Sequence, residues 1–202
     1  MPFGFGGRRD EKAALLSHHV DPAGADPSAR IDLTAEELKG TARQIVELTV
    51  RVGRAMGMSE QEVKNARLGA FLHDIGMTSV PDDILFKSAP LTEEEWQVVR
   101  EHPTYAYELL SNTPALAEAV DIPYCHHEKW DGTGYPRGLK GEQIPLPARI
   151  FAVVDVWCAL QSERPYRKTW TAEEAEEYLL HRATRDFDPK VVEVFLGLLL
   201  SD

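Results

Sequence analysis

The chain has 202 residues, of which 43% are hydrophobic and 27% charged, the balance of a soluble globular domain with one sizeable core. A formal net charge of −11 and a pI near 5.1 exclude a general nucleic-acid or anionic-membrane surface, so neither DNA nor a membrane is expected as a partner. Cys125 and Cys158 make no disulfide framework and read as reduced thiols. No signal peptide is visible, and the longest apolar run, Ile150–Val154, is far short of a membrane span, so the expected location is the cytoplasm.

Residues 1–33 read as an extension or linker, with Pro22, Gly24 and Pro27 among small and acidic residues. The His18-His19 pair within it reads as solvated, because no cluster of other ligand types adjoins it. From Thr34 the pattern becomes helical. Thr34 and Glu37 resemble a capping box, and Ile45, Leu48, Val52 and Met56 recur at helical spacing. Gly57 ends that helix, and Ser59 with Glu62 caps a second, in which Val63, Ala66, Ala70 and His73 share one face. Thr92 starts a third helix with Trp96 and Val99 inward. His102 continues that stripe, and Pro103 is expected to end or sharply kink the helix just after it. A fourth helix is expected over roughly 114–125. Pro147 suits the first position of a helix over 148–160 that is apolar on nearly every side and therefore central. Two amphipathic helices follow at 171–182 and 189–200. No β-branched alternation interrupts this series, and the expected fold class is all-α.

The central apolar helix contains one acid, Asp155. A buried, unpaired carboxylate costs several kcal/mol, so it needs a cation, either a side chain such as Arg149 or a metal ion. His73, Asp74, His102, His126 and His127 also lie at or near apolar sides or ends of helices. Any one of these histidines reads equally well as a hydrogen-bonded imidazole with no ligand role. Together with Asp155 they form a nitrogen and oxygen donor set without thiolate, suited to Mn, Fe, Zn, Ni or Mg. Asp74 is placed to bridge two ions, as in two-metal phosphoesterases. His126-His127 run directly into a glycine-broken loop that offers backbone N–H groups and the Tyr135 phenol.

Taken in order, the blocks His73-Asp74-Ile75-Gly76, Pro81-Asp82-Asp83-Ile84-Leu85, His102-Pro103, His126-His127-Glu128, Asp131-Gly132-Thr133-Gly134-Tyr135-Pro136, Gly138-Leu139-Lys140-Gly141, Arg149-Ile150, Asp155 and Arg164-Pro165-Tyr166-Arg167 carry a resemblance. From about Leu33 to the C-terminus the chain resembles an HD-GYP domain, the bacterial branch of the HD-domain metal-dependent phosphohydrolases associated with hydrolysis of cyclic di-GMP. The resemblance implies a helical bundle over 34–202 with extra C-terminal helices and a GYP loop. It implies one to three divalent metal ions held by His73, Asp74, His102, His126, His127 and Asp155, with Asp74 the catalytic aspartate. Glu37 matches a glutamate that some members use for an additional metal; simple N-terminal capping is the alternative. Tyr135, Arg164 and Arg167 fall where the family contacts the cyclic dinucleotide, and guanidinium and phenol groups suit phosphate oxygens.

Three positions depart from the family pattern. A first-helix histidine is replaced by Thr41, the lysine after Asp-Ile-Gly by Met77, and a second aspartate on the Asp155 helix by Cys158. These changes thin one metal site and leave the set Asp74, His102, His126 and His127 whole. The expected function is a metal-dependent cyclic di-GMP phosphodiesterase with a partly degenerate site. The alternative is an inactive module that binds metal or nucleotide and signals through a protein partner at the loop around Tyr135. A different nucleotide or phosphate ester is a third option, since Met77 removes a phosphate-meeting cation. A homodimer is compatible with all three.

Overall fold

The computed structural model describes residues 40–162 and 169–200, and every structural statement below concerns those residues. Turn and cap chemistry sets where its helices begin. Helix α1 is Gly40–Ala55, and α2 is Glu60–Leu72. The Ser59 hydroxyl accepts from the Glu62 amide at 3.3 Å while the Glu62 carboxylate accepts from the Ser59 amide at 2.7 Å, closing the expected capping box. A 3-10 turn, Ile75–Ser79, and a short helix α3, Asp82–Leu85, lead to α4, Glu93–Arg100, which Thr92 and Glu95 cap in the same reciprocal way. Helix α5 is His102–Ser111, and α6 is Asp121–Cys125. The loop from α6 leads to α7, Leu146–Gln161, followed by α8, Ala172–Arg182, and α9, Pro189–Leu199. Among the described residues the sole β-type pairing is one isolated bridge, Ala183 to Phe187, so the expected all-α class holds.

Helix α7 is the centre of the domain. Its Ile150, Phe151, Val153 and Val154 are fully buried, packed against residues of α1, α2, α8 and α9 in one cluster. Full burial of such a side chain contributes about 1.5–3 kcal/mol, so this helix is the main apolar anchor of the fold.

Two boundaries differ from the sequence reading. Helix α4 stops at Arg100, and Pro103 opens α5 rather than closing its predecessor. The first turn of a helix has no intrahelical acceptor for its N–H groups, so a proline there removes nothing. The single helix expected over 114–125 is instead a 3-10 turn, Ala117–Ala119, followed by α6. Pro123 is responsible, because its ring would collide with the carbonyl four residues back, that of Ala119, in a continuous α-helix. The capping start at Thr34 and Glu37 lies outside the described residues.

Gly76 brings the Asp74 turn against α5. A Cβ at this position would lie 1.9 Å from the His102 carbonyl oxygen and 2.8 Å from the Ala106 amide nitrogen, both backbone atoms that cannot yield. The substitution Gly76→Ala is therefore expected to lower stability by about 3 kcal/mol or more, read as a reduced urea midpoint with unchanged m-value.

Candidate metal centre

The candidate ligands gather where helices stop. His73 is the C-cap of α2, and Asp74 opens the 3-10 turn after it. His102 follows the last turn of α4, and His126 is the C-cap of α6. Each ring donates its Nδ1 hydrogen to a carbonyl of the preceding helical turn. His73 donates to Ala70 at 2.9 Å, His102 to Val99 at 2.8 Å, and His126 to Ile122 and Pro123 at 3.1 Å each. A carbonyl only accepts, so Nδ1 carries the hydrogen, and Nε2, aimed away from the helix, is the nitrogen that supplies a lone pair in the neutral ring.

Those Nε2 atoms converge. His102 Nε2 lies 3.3 Å from His126 Nε2, and ligand atoms of His102, His126 and His127 all fall within 4.8 Å of one another. Asp74 Oδ1 stands 3.6 Å from His102 Nε2 and 3.8 Å from His126 Nε2, while its Oδ2 is 3.4 Å from His73 Nε2. The carboxylate thus lies between His73 on one side and the other imidazoles on the other. Two neutral rings with facing lone pairs repel unless a cation lies between them. Two nitrogens bound at about 2.1 Å to one tetrahedral ion sit about 3.4 Å apart, so the donor set fits a divalent transition metal.

Electrostatics divides the site. Burial, reinforced by the neighbouring His127, His102 and His73, pushes His126 well below the ordinary imidazole range. For His73 burial also disfavours the charge, but Asp74 at contact distance and Asp155 beyond it outweigh that and raise the group to about 9. Asp155 therefore acts at the His73 end. Its suggested partner Arg149 is engaged elsewhere, donating from Nη1 to Asp188 Oδ2 at 2.7 Å, so a pair between Asp155 and Arg149 is not the arrangement found. Phe151 of α7 closes the floor, 4.9 Å from the His73 ring and 5.9 Å from that of His126.

The loop after His127 folds back on its own beginning. Tyr135 donates its amide to the His127 carbonyl at 3.2 Å, and its ring stacks on the His127 ring at 4.7 Å and 25°. Burial pushes the phenol up to about 12, which keeps it a hydrogen-bond donor at neutral pH. Gly134 is obligatory, because a Cβ there would sit 2.3 Å from the Lys129 amide nitrogen. Asp131 Oδ1 accepts from both the amide and the hydroxyl of Thr133.

The structure brings together His73, Asp74, His102, His126 and His127, sets Asp155 within electrostatic reach of His73, and lays Tyr135 on His127. Glu37, Arg164 and Arg167 lie outside the described residues. The three departures find ordinary places. Thr41 is exposed in the first turn of α1. Met77 is buried with Val80, Leu85 and Val99 in a small apolar cluster. Cys158 is buried in the main core, and burial, aided by Asp155, pushes its thiol up to about 12, so it stays protonated.

Sequence reasoning gave no role to Glu128. Its carboxylate is buried at 4% exposure and accepts from the Arg137 amide at 2.8 Å and the Leu139 amide at 3.0 Å, clamping the far side of the loop. The available signal was generic: a non-helical loop needs acceptors for its amides, and Glu128 is the acid at its mouth.

A family model described as HD domain matches residues 27–191. The chain belongs to the HD domain family. Within it, the motif order agrees with the HD-GYP branch. A cyclic di-GMP phosphodiesterase response regulator from Xanthomonas campestris is 46% identical over 147 residues, covering 72% of this chain and 39% of that protein. A cyclic di-GMP phosphodiesterase from Thermotoga maritima is 42% identical over 75% of this chain and 42% of its own length. A 3'3'-cGAMP-specific phosphodiesterase from Vibrio cholerae is 34% identical over 82% of this chain and 32% of its own. The chain thus spans about two-fifths or less of the curated relatives named here. A solved HDG"Y"P protein from Bdellovibrio bacteriovorus superposes with a TM-score of 0.61 at 18% identity, over 79% of this chain and 51% of that one, which shows a shared fold.

Removing the Glu128 clamp releases two amides from a charged acceptor. The variant Glu128→Ala is expected to lose about 3 kcal/mol of stability and Glu128→Gln appreciably less, measured by thermal unfolding of both against wild type.

Proposed function

We propose that residues 34–202 form a metal-dependent phosphodiesterase that hydrolyses cyclic di-GMP at the centre built on Asp74, with residues 1–33 as a linker. One observation carries this: a single carboxylate sits within 3.4–3.8 Å of imidazole nitrogens on both of its sides. In this arrangement Asp74, His102, His126 and His127 would hold one divalent ion. His73, Asp74 and Asp155 would hold a second, and Glu37 would serve an additional one. Iron, manganese, zinc or nickel suits the nitrogen and oxygen donors, and magnesium suits the carboxylate side. When bound, such ions supply Lewis acidity, which activates water and offsets phosphate charge.

The chain's own groups do the rest. Asp74 accepts a hydrogen bond from the attacking water and orients it toward phosphorus. The Nδ1-to-carbonyl bonds keep the imidazoles from turning as charge develops. Tyr135, held protonated, donates to a phosphoryl oxygen. Arg164 and Arg167 meet the phosphates or a guanine edge with planar forks. With a net charge of −11, the protein draws an anionic substrate through this local positive charge and not through its overall field. The product is a linear dinucleotide or GMP. A cytoplasmic setting completes the proposal, supported by the absence among the described residues of any helix long and apolar enough to cross a membrane.

The deciding experiment is turnover of cyclic di-GMP with Mn²⁺ or Fe²⁺ supplied. Wild type is expected to hydrolyse it, and Asp74→Ala to fall to the metal-free rate; equal rates for the two proteins would remove the proposal. A second measurement concerns the ion alone. The variant His126→Ala is expected to weaken Mn²⁺ binding in calorimetry by more than the roughly 10- to 100-fold that loss of an outer-shell partner costs.

A second reading is favoured by the three departures. Exposed Thr41, buried Met77 and the protonated Cys158 thiol leave these positions without a strong ligand or a phosphate-facing cation. A module of this kind binds metal or nucleotide and acts through a protein partner at the Tyr135 loop or through a second copy of itself. Tight cyclic di-GMP binding without turnover distinguishes it. Because the Vibrio cholerae relative is named for 3'3'-cGAMP, that dinucleotide belongs in the same substrate panel.

A further inference from the structure

The turn before α9 reaches back to the loop that carries Tyr135. The Trp130 amide donates to the Asp186 carbonyl at 3.2 Å and the Asp131 amide to the Arg185 carbonyl at 2.9 Å, while Gly141 donates to the Trp130 carbonyl at 2.9 Å. Thr184 in that turn has φ of +73°, a conformation that β-branched residues rarely adopt, and its amide donates to the Phe187 carbonyl at 3.0 Å. Such a residue persists only where its surroundings over-determine the backbone, so the turn is a stiff template for Trp130 and Asp131.

Arg149 of α7 lies beneath it. Its Nη1 donates to Asp188 at 2.7 Å, and its guanidinium carbon lies 5.9 Å from the Trp130 ring centre. Asp188 is itself fixed, because its other oxygen accepts from the Lys190 amide and caps α9. Two polar atoms remain. Arg149 Nε and Asp186 Oδ1 are both buried without a hydrogen-bond partner among the described residues, although Lys129 Nζ stands 3.5 Å from that oxygen and offsets its charge. Arg149, Asp186, Glu128 and Trp130 line one small cavity of about 10 Å³, the room a single water needs. A buried donor and acceptor without hydrogen bonds are unfavourable even where, as at Asp186 Oδ1, Lys129 and, at 4.0 Å, Arg185 supply opposite charge, and a water in this cavity would satisfy both.

We propose that Arg149 is a positioning residue, whose guanidinium, held by Asp188 and joined to Asp186 through one buried water, seats Trp130 and thereby sets Tyr135 over His127. The path is continuous in the chain. Trp130 anchors one limb of the loop, Glu128 holds the other at Arg137 and Leu139, and Tyr135 between them bonds and stacks on His127. Arg149 contacts Asp188 and Trp130, whereas His73, His102 and His126 take their orientation from Ala70, Val99, Ile122 and Pro123. Its loss should therefore move the Tyr135 side of the site and spare the ion. The kinetic part rests on the proposal that Tyr135 meets the substrate.

The test uses the full chain and two variants, Arg149→Lys, which keeps the charge but loses the planar fork, and Trp130→Leu, which removes the aromatic face while leaving the Asp188 pair intact. Hydrogen exchange at the Tyr135 amide is expected to quicken by about tenfold in both, with α1 amides unchanged. Mn²⁺ affinity is expected to stay within about threefold of wild type, while KM for cyclic di-GMP rises about tenfold and kcat changes little. Unchanged Tyr135 exchange in both variants overturns the proposal. So does a rise matched by α1 amides and by loss of Mn²⁺ affinity, which marks general loosening. If wild type shows no turnover, the phosphodiesterase proposal fails alone, and the exchange comparison still decides the positioning role.

Discussion

Three imidazoles in this protein are aimed by one repeated interaction, an Nδ1–H donated to a carbonyl in the last turn of the preceding helix. His73, His102 and His126 each use a carbonyl three residues back. Carbonyls at a helix C-terminus lack intrahelical donors, so the bond satisfies an orphan acceptor and fixes a ring in one step. The consequence is that the site is assembled from helix ends. If a helix ended one residue later, its Nε2 would point into the core or into solvent. The interruptions between α4 and α5, and before α6, therefore place His102 and the helix that ends at His126. Pro103 and Pro123 are compatible with these breaks and incompatible with the continuous helices that would erase them.

Packing then turns three local arrangements into one centre. Gly76 lets the Asp74 turn lie against the backbone of α5 with no side chain between, which holds the carboxylate beside His102 and His126. Helix α7, buried along most of its length, supplies the Phe151 floor and carries Asp155 toward His73 and Arg149 toward the loop. One helix therefore reaches both parts of the candidate site, His73 through Asp155 and the Trp130 end of the loop through Arg149. Disturbing either residue should leave the other's contacts largely intact, because they lie six positions apart and so about 120° from each other around the helix.

The departures from the family pattern are unevenly placed. His102, His126 and His127 lie together beside Asp74, whereas Thr41 is exposed and Met77 and Cys158 are buried among apolar side chains. Met77 and Cys158 have been absorbed into apolar clusters, and a charged residue could return there only by reaching out of them. The asymmetry favours a centre in which one ion is held firmly and a second weakly.

Much of this protein was legible in its residue pattern. The caps at Ser59 and Thr92, the apolar helix around Phe151, and the set His73, Asp74, His102, His126 and His127 were all readable, because caps and amphipathic faces are encoded over three to seven neighbouring residues. The helix from His102 to Ser111 was not, because a proline reads the same whether it closes one helix or opens the next. Nor were the roles of Glu128, Arg149 and Asp188, since each depends on a partner brought near only when the chain closes on itself. The sequence alone thus determined the helical class and the candidate donors, both of them local or compositional properties. Only the tertiary structure decided that Asp74 stands between the imidazoles and that the turn before α9 braces the Tyr135 loop, because those are distances between segments far apart in sequence.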